Sequence, residues 1–502
     1  MKSRIDWVTT VIPCAAIILL CVLFMVWPEQ SSATLESVRF FFGDQLGSYY
    51  LVVGLGVFFI SLYIAFSRYG TIRLGNTEKP AYSDFQWGSM MFTAGLAADI
   101  LFYSLCEWIL YANEPHISDM GTIQDWASTY PLFHWGPIPW AFYLVLAVAF
   151  GFMLHVRKRT KQKYSEACRP LLGKKTDGAA GKIIDLIAVF ALVAGTATTF
   201  SVSSPLLSII FSQFLGIEES KLLTIAILVV VGVIYIVTVY FGMKGIARLA
   251  AGCVYFFFAF LLYVFIGGGK AQYIIETGIT SLGNMVQNFI AMSTWTDALR
   301  TSSFPQNLTI FYWAYWMVWC VAAPFFIGTI SKGRTIKQTI LGGYFYGLAG
   351  TFVSFIVLGN YGLGLQMHGQ LDVLGIYEQS QNLCTAILAV MDTLPLPAIG
   401  LFLLAITMIT FYSTSYDALA LVAASYSYKE LPDGQEPSKA VKLFWAVLLI
   451  LFPIALVFSD NSMANLQTVS IIAAFPVGII IVMMVYSFFK DAKEYLNELN
   501  KK

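Results

Sequence analysis

The sequence predicts an all-α integral membrane protein with twelve transmembrane helices. Of its 502 residues 58% are hydrophobic and 12% charged, with a mean hydropathy of +0.71, a balance that excludes an ordinary soluble domain. Apolar stretches able to cross roughly 30 Å of hydrocarbon, about 20 residues each as helix, recur near 8–27, 48–67, 87–111, 134–155, 183–212, 221–242, 250–267, 306–329, 339–358, 398–426, 440–458 and 467–488. Lysine and arginine concentrate in cytoplasmic loops. Threading the twelve spans with the N-terminus inside leaves only Arg39, Lys221, Lys270 and Arg300 outside, so 26 of the 30 basic residues are cytoplasmic. A span missed early would transpose every later loop, and both termini are therefore expected in the cytoplasm, with the chain in a bacterial plasma (inner) membrane.

Taken in order, the first apolar run starts at Val8 behind Lys2 and Arg4, as a signal peptide does. It continues to Trp27 without a small-residue cleavage pattern, which makes it a retained helix. The third span contains Thr93-Ala94-Gly95-Leu96-Ala97-Ala98-Asp99, where small residues precede an ionisable one. Interrupted helices of this kind turn unwound backbone toward a cavity in transporters. A charge at the bilayer centre costs roughly 2.5 to 3.5 kcal/mol on insertion scales, so Asp99 is expected to serve as counter-ion to a bound cation or as a carboxylate that takes up a proton. A structural aspartate bonded to a neighbouring helix is the other reading. Glu107, eight residues on, reads as structural.

The fourth span opens with Phe133-His134-Trp135-Gly136-Pro137-Ile138-Pro139-Trp140-Ala141-Phe142-Tyr143. Its two prolines restrict the backbone at a helix start and could aim Trp135, Trp140 and Tyr143 inward, although aromatics at a helix end also form the interfacial belt. A basic connection follows at 157–182. After the seventh span, 272–294 mixes Ile274, Ile275, Ile279, Leu282, Met285, Val286 and Phe289 with polar residues, which suits an amphipathic helix on the outer surface or a subunit contact.

In the eighth span Tyr312, Tyr315, Trp316 and Trp319 stand at i, i+3, i+4 and i+7 and share one helix face. A quaternary ammonium has no N–H to donate, and ring faces are the means of holding it. Such a stripe suits a cage for a methylated ammonium as well as plain packing. The tenth span carries Thr410-Phe411-Tyr412-Ser413-Thr414-Ser415-Tyr416-Asp417, whose oxygens suit a hard cation such as sodium; hydroxyls bonded to their own helix are the alternative. The seven cysteines show no CxxC spacing, so neither a disulfide framework nor a metal site is expected. No phosphate loop or HExxH motif occurs, and the four histidines lie far apart, so an enzyme is not expected, nor a cofactor, nor a nucleic-acid partner.

These features together resemble the betaine/choline/carnitine transporter family over nearly the whole chain. The family signature [GSDN]-W-T-[LIVM]-x-[FY]-W-x-W-W is met at eight of ten positions by residues 307–316, departing at Leu308 and Tyr315. Ile330-Ser331-Lys332-Gly333-Arg334-Thr335 is similar to its I-S-R-G-R-T, and Phe133-His134-Trp135-Gly136 with Pro139-Trp140 to its fourth-span motif. The resemblance implies a five-plus-five inverted-repeat core behind two peripheral N-terminal helices, assembled as a homotrimer. It implies a cage drawn from Trp135, Trp140, Tyr143, Tyr315, Trp316 and Trp319. Where sodium-coupled betaine carriers have G-x-G-x-G, this chain has Gly95-Leu96-Ala97-Ala98-Asp99, ending in aspartate as choline carriers do. Thr414 and Ser415 match the family's sodium-site pair, while Asp99 argues for a proton. The arginine and methionine of sodium-independent carnitine antiporters are replaced by Ala247 and Ala323, with Arg248 one residue from register.

The expected organisation is two peripheral helices (1–86), a first repeat (87–267), an external amphipathic region (268–304), a second repeat (305–490) and a short cytoplasmic tail (491–502). The expected function is secondary transport of choline by alternating access. Carriage of carnitine, γ-butyrobetaine or glycine betaine, or a ligand-gated channel, are the alternatives.

Overall fold

The computed structural model describes residues 5–501 apart from Glu78, Gly242, 432–435 and 459–462. The regular elements among the described residues are all helices, without a strand; only two isolated bridges occur, Ile5 to Tyr428 and Arg73 to Thr335. Seven helices are long and apolar enough to cross a membrane, or ten if each of three bent pairs counts as one span. The helices Lys221–Phe241 and Lys439–Phe458 lie on two further apolar stretches.

The bends fall where the backbone chemistry requires them. Asp84–Thr93 and Ala98–Ala112 meet at 61°. Between them Ala97 is extended (φ −142°, ψ 174°) and starts the second helix, and Gly95 admits the Trp140 indole so closely that a Cβ there would lie 2.8 Å from it. The pair 305–319 and Ala323–Ile330 bends by 55°, with Pro324, which has no N–H to satisfy, in the first turn of the new helix.

At the expected fourth span the structure departs from the sequence reading. Helix begins at Ile123, capped by Thr122, whose hydroxyl accepts from Asp125 N at 3.1 Å. It stops at His134 and restarts at Pro137. Trp135 thus sits in a mid-span break and not at a helix entrance.

After Gly267 the chain turns by 109° into Ala271–Thr294, the helix expected to be amphipathic. It packs on Ile123–His134, with Ser281 and Ser128 hydroxyls 2.6 Å apart, and leaves Ile275, Ile279, Val286 and Ile290 exposed. Ala98–Ala112, Pro137–Gly151 and Ile310–Trp319 are almost wholly buried and form the centre of the molecule.

Candidate binding cavity

Around this centre lies a cavity of about 340 Å³. Three of its walls come from points where helix is interrupted. The 94–97 break contributes small residues and Asp99, the 135–136 break contributes Trp135, and the aromatic helix Ile310–Trp319 contributes Tyr315, Trp316 and Trp319 just before its own bend. Tyr143, Phe326, Phe411, Thr414 and Ser415 also line it.

The rings stand as adjoining walls. Tyr143 and Trp316 have centroids 4.7 Å apart at 59°, Trp135 and Trp316 5.7 Å at 70°, and Trp135 and Tyr315 6.4 Å at 78°. Planes so inclined enclose a corner, and a cation placed there meets several π faces at once. Trp140 is not part of the lining. It braces Tyr143 and Trp316 from behind, at 5.8 and 6.0 Å, against Gly95 and Gly347. Tyr312, the first residue of the stripe, also backs the cavity, packed on Tyr103, Trp135 and His134.

Asp99 is buried in the first turn of Ala98–Ala112, where the helix N-terminus favours a negative charge. Its Oδ2 accepts from the Tyr315 hydroxyl, which in turn bonds the Thr199 hydroxyl. Oδ1 has no side-chain partner, and among the described residues no lysine, arginine or histidine pairs with it. A cation beside the rings would therefore find an uncompensated carboxylate.

The Thr414 hydroxyl bonds the carbonyls of Thr410 and Phe411 in its own helix, at 3.1 and 3.0 Å, and Ser415 lies beside it on the lining. Ala323 also lines the cavity, whereas the side chains of Ala247, Arg248 and Asp417 lie outside the described part.

Sequence reasoning missed Tyr103, 5.6 Å from Trp135, and Thr199. Each had a signal: Tyr103 is four residues after Asp99 and so on its face, and Thr199 belongs to the hydroxyl run 196–204. Glu107, read as structural, is fully buried and accepts from Trp135 Nε1 at 2.6 Å.

The model of the betaine/carnitine/choline family of transporters matches residues 8–497. A carnitine transporter of Acinetobacter baumannii is 29% identical over 85% of this chain and 78% of its own length. A probable glycine betaine transporter of Desulfitobacterium hafniense is 30% identical over 94% and 95%. The glycine betaine transporter OpuD of Bacillus subtilis is 29% identical over 99% and 96%. All are transporters by name, and the ligand-gated channel expected as an alternative does not fit them. With nearly its full length matched and its helices built to span a bilayer, the chain belongs to the betaine/carnitine/choline transporter family.

Proposed function

We propose that this protein is a secondary active carrier, not an enzyme, that moves choline across the bacterial inner membrane by alternating access. The carrying observation is the convergence of Trp135, Tyr143, Tyr315, Trp316 and Trp319 on one cavity beside a carboxylate with no basic partner. The rings take the trimethylammonium group, with Trp140 as their brace. Asp99 attracts the positive charge and repels the carboxylate of a zwitterion, which ranks choline above carnitine, γ-butyrobetaine and glycine betaine. The volume falls at the small end of the roughly 300–1,000 Å³ usual for small-molecule sites.

The proposed architecture is twelve spans with both termini cytoplasmic. Two peripheral helices within 1–86 precede inverted repeats at 87–267 and 305–490; 268–304 lies outside, and 491–502 forms a cytoplasmic tail. The assembly is a homotrimer. Toward Trp135, Tyr103 and Tyr312 the cavity is sealed by rings, whereas toward Thr93, Ala94, Ala323 and Phe326 its lining is partly exposed. In the proposed topology the open end faces the cytoplasm, one of the two states alternating access requires.

Asp99 is the proposed proton acceptor for coupling, with sodium at Thr414 and Ser415 as the competing ion. Purified protein in liposomes decides between them: labelled choline, carnitine and glycine betaine are offered under an imposed proton or sodium gradient. Choline accumulation driven by the proton gradient is expected. If none of the three is accumulated or exchanged, the substrate class is wrong.

A further inference from the structure

We infer that Glu107 is a positioning residue that locks the Trp135 indole in its cage orientation through a buried hydrogen-bond chain ending on the aromatic helix. The inference rests on the reading of Trp135 as a cage wall, though one of its readouts does not.

Trp135 lies in the break between Ile123–His134 and Pro137–Gly151, so no regular helix surface sets its direction. The ring packs against Tyr103, Tyr312, Trp316 and Phe355, contacts that tolerate sliding because dispersion has no strong direction. Its indole N–H donates to Glu107 Oε2 at 2.6 Å, the one directional bond on the ring. Glu107 is in turn held by the Tyr111 hydroxyl on Oε1. Tyr111 bonds His134 Nδ1 at 2.5 Å, and His134 Nε2 bonds the Thr309 hydroxyl at 2.9 Å. Every member is buried to within 2% of fully, and Thr309 leads into Ile310–Trp319.

The donors fit in one order when Glu107 is a carboxylate. Thr309 donates to His134 Nε2, His134 Nδ1–H donates to Tyr111, Tyr111 donates to Oε1, and Trp135 donates to Oε2; the histidine tautomer follows from the chain. No donor or acceptor is spent twice, and three elements around the cavity are tied by one continuous chain of hydrogen bonds. Charge-assisted bonds in a buried site are the stronger class, so the ring is fixed where the cation needs it.

Glutamine can replace glutamate in this arrangement. Its carbonyl accepts from Trp135, its NH₂ donates to Tyr111, and Tyr111 then donates to His134. Leucine can do neither. In protein carrying 5-fluorotryptophan, the Trp135 fluorine resonance is identified by its loss in Trp135→Phe. Wild type and Glu107→Gln are expected to give one narrow line, and Glu107→Leu a shifted or broadened one. In parallel, Glu107→Leu is expected to weaken choline binding about tenfold, with Glu107→Gln within about threefold of wild type. If Glu107→Leu does not fold, Glu107→Asp, whose carboxylate is retracted by one methylene from both donors, carries the same test. An unchanged fluorine line with unchanged affinity in either variant overturns the inference. A wild type that binds no quaternary amine overturns the transport reading alone, because the fluorine line still reports on the lock.

Discussion

At the scale of single residues the cavity turns on Asp99. Its presence in an apolar run was legible in the sequence, because an intramembrane carboxylate is too costly to be incidental. Its bond to Tyr315 and the further link to Thr199 were not legible, since those partners come from helices 216 and 116 positions apart along the chain and no local pattern pairs them. The arrangement predicts a split effect for Asp99→Asn, which keeps an acceptor for the Tyr315 hydroxyl and removes the charge. At an effective dielectric near 20, unit charges about 4 Å apart attract by roughly 4 kcal/mol, and a third of that is about tenfold in affinity. Choline binding is therefore expected to weaken by about tenfold while glycine betaine, freed of repulsion, competes better. Competition of both compounds against labelled choline measures this, and an unchanged ratio assigns Asp99 a structural role.

At the scale of elements, the cavity lies against interrupted helices. The break at 94–97 was legible from small residues before an ionisable one, but the break at 135–136 was misplaced. Pro131 lies inside Ile123–His134, and the prolines at 137 and 139 read as a helix start although helix had begun eleven residues before His134. Trp140 shows what sequence periodicity cannot separate, a ring lining a cavity from one bracing it. The bracing has a testable consequence at Gly347, where a Cβ would fall 2.4 Å from Trp140 Cη2 and Cζ3. Overpacking of this kind costs about 1–3 kcal/mol, and the displaced indole would push on Tyr143 and Trp316. Gly347→Ala is thus expected to lower both the melting temperature in detergent and the affinity for choline. Gly283→Ala on Ala271–Thr294, with nothing within 4 Å of the new methyl, should be neutral or slightly stabilising, by roughly 0.5–1 kcal/mol where glycine is replaced in a helix. Equal effects at the two positions would show that Trp140 braces nothing.

At the scale of the whole molecule, the charge pattern and the cavity make separate statements about direction, and they can be set against one another. The distribution of lysine and arginine is the basis of the proposed topology, in which both termini are cytoplasmic. At one end of the cavity Trp135 is backed by Tyr103 and Tyr312, and at the other the lining residue Phe326 is 44% exposed, the end proposed to be open. Following the chain in the proposed topology, Ile310–Trp319 runs inward and Ala323–Ile330 continues to the inner face, so Phe326 lies on the cytoplasmic side of the cage. In a background with the seven native cysteines replaced, Phe326→Cys is therefore expected to react with a membrane-impermeant thiol reagent in inside-out vesicles and not in right-side-out ones. Ser302→Cys, on the loop that precedes the aromatic helix at its outer end, is expected to do the reverse. Choline should change the Phe326→Cys rate, because a filled cage biases the equilibrium between open and closed forms. Labelling of Phe326→Cys from the outer face alone would mean that the cavity opens outward or that the chain is inverted. The Ser302→Cys result distinguishes the two, since only inversion moves that residue as well.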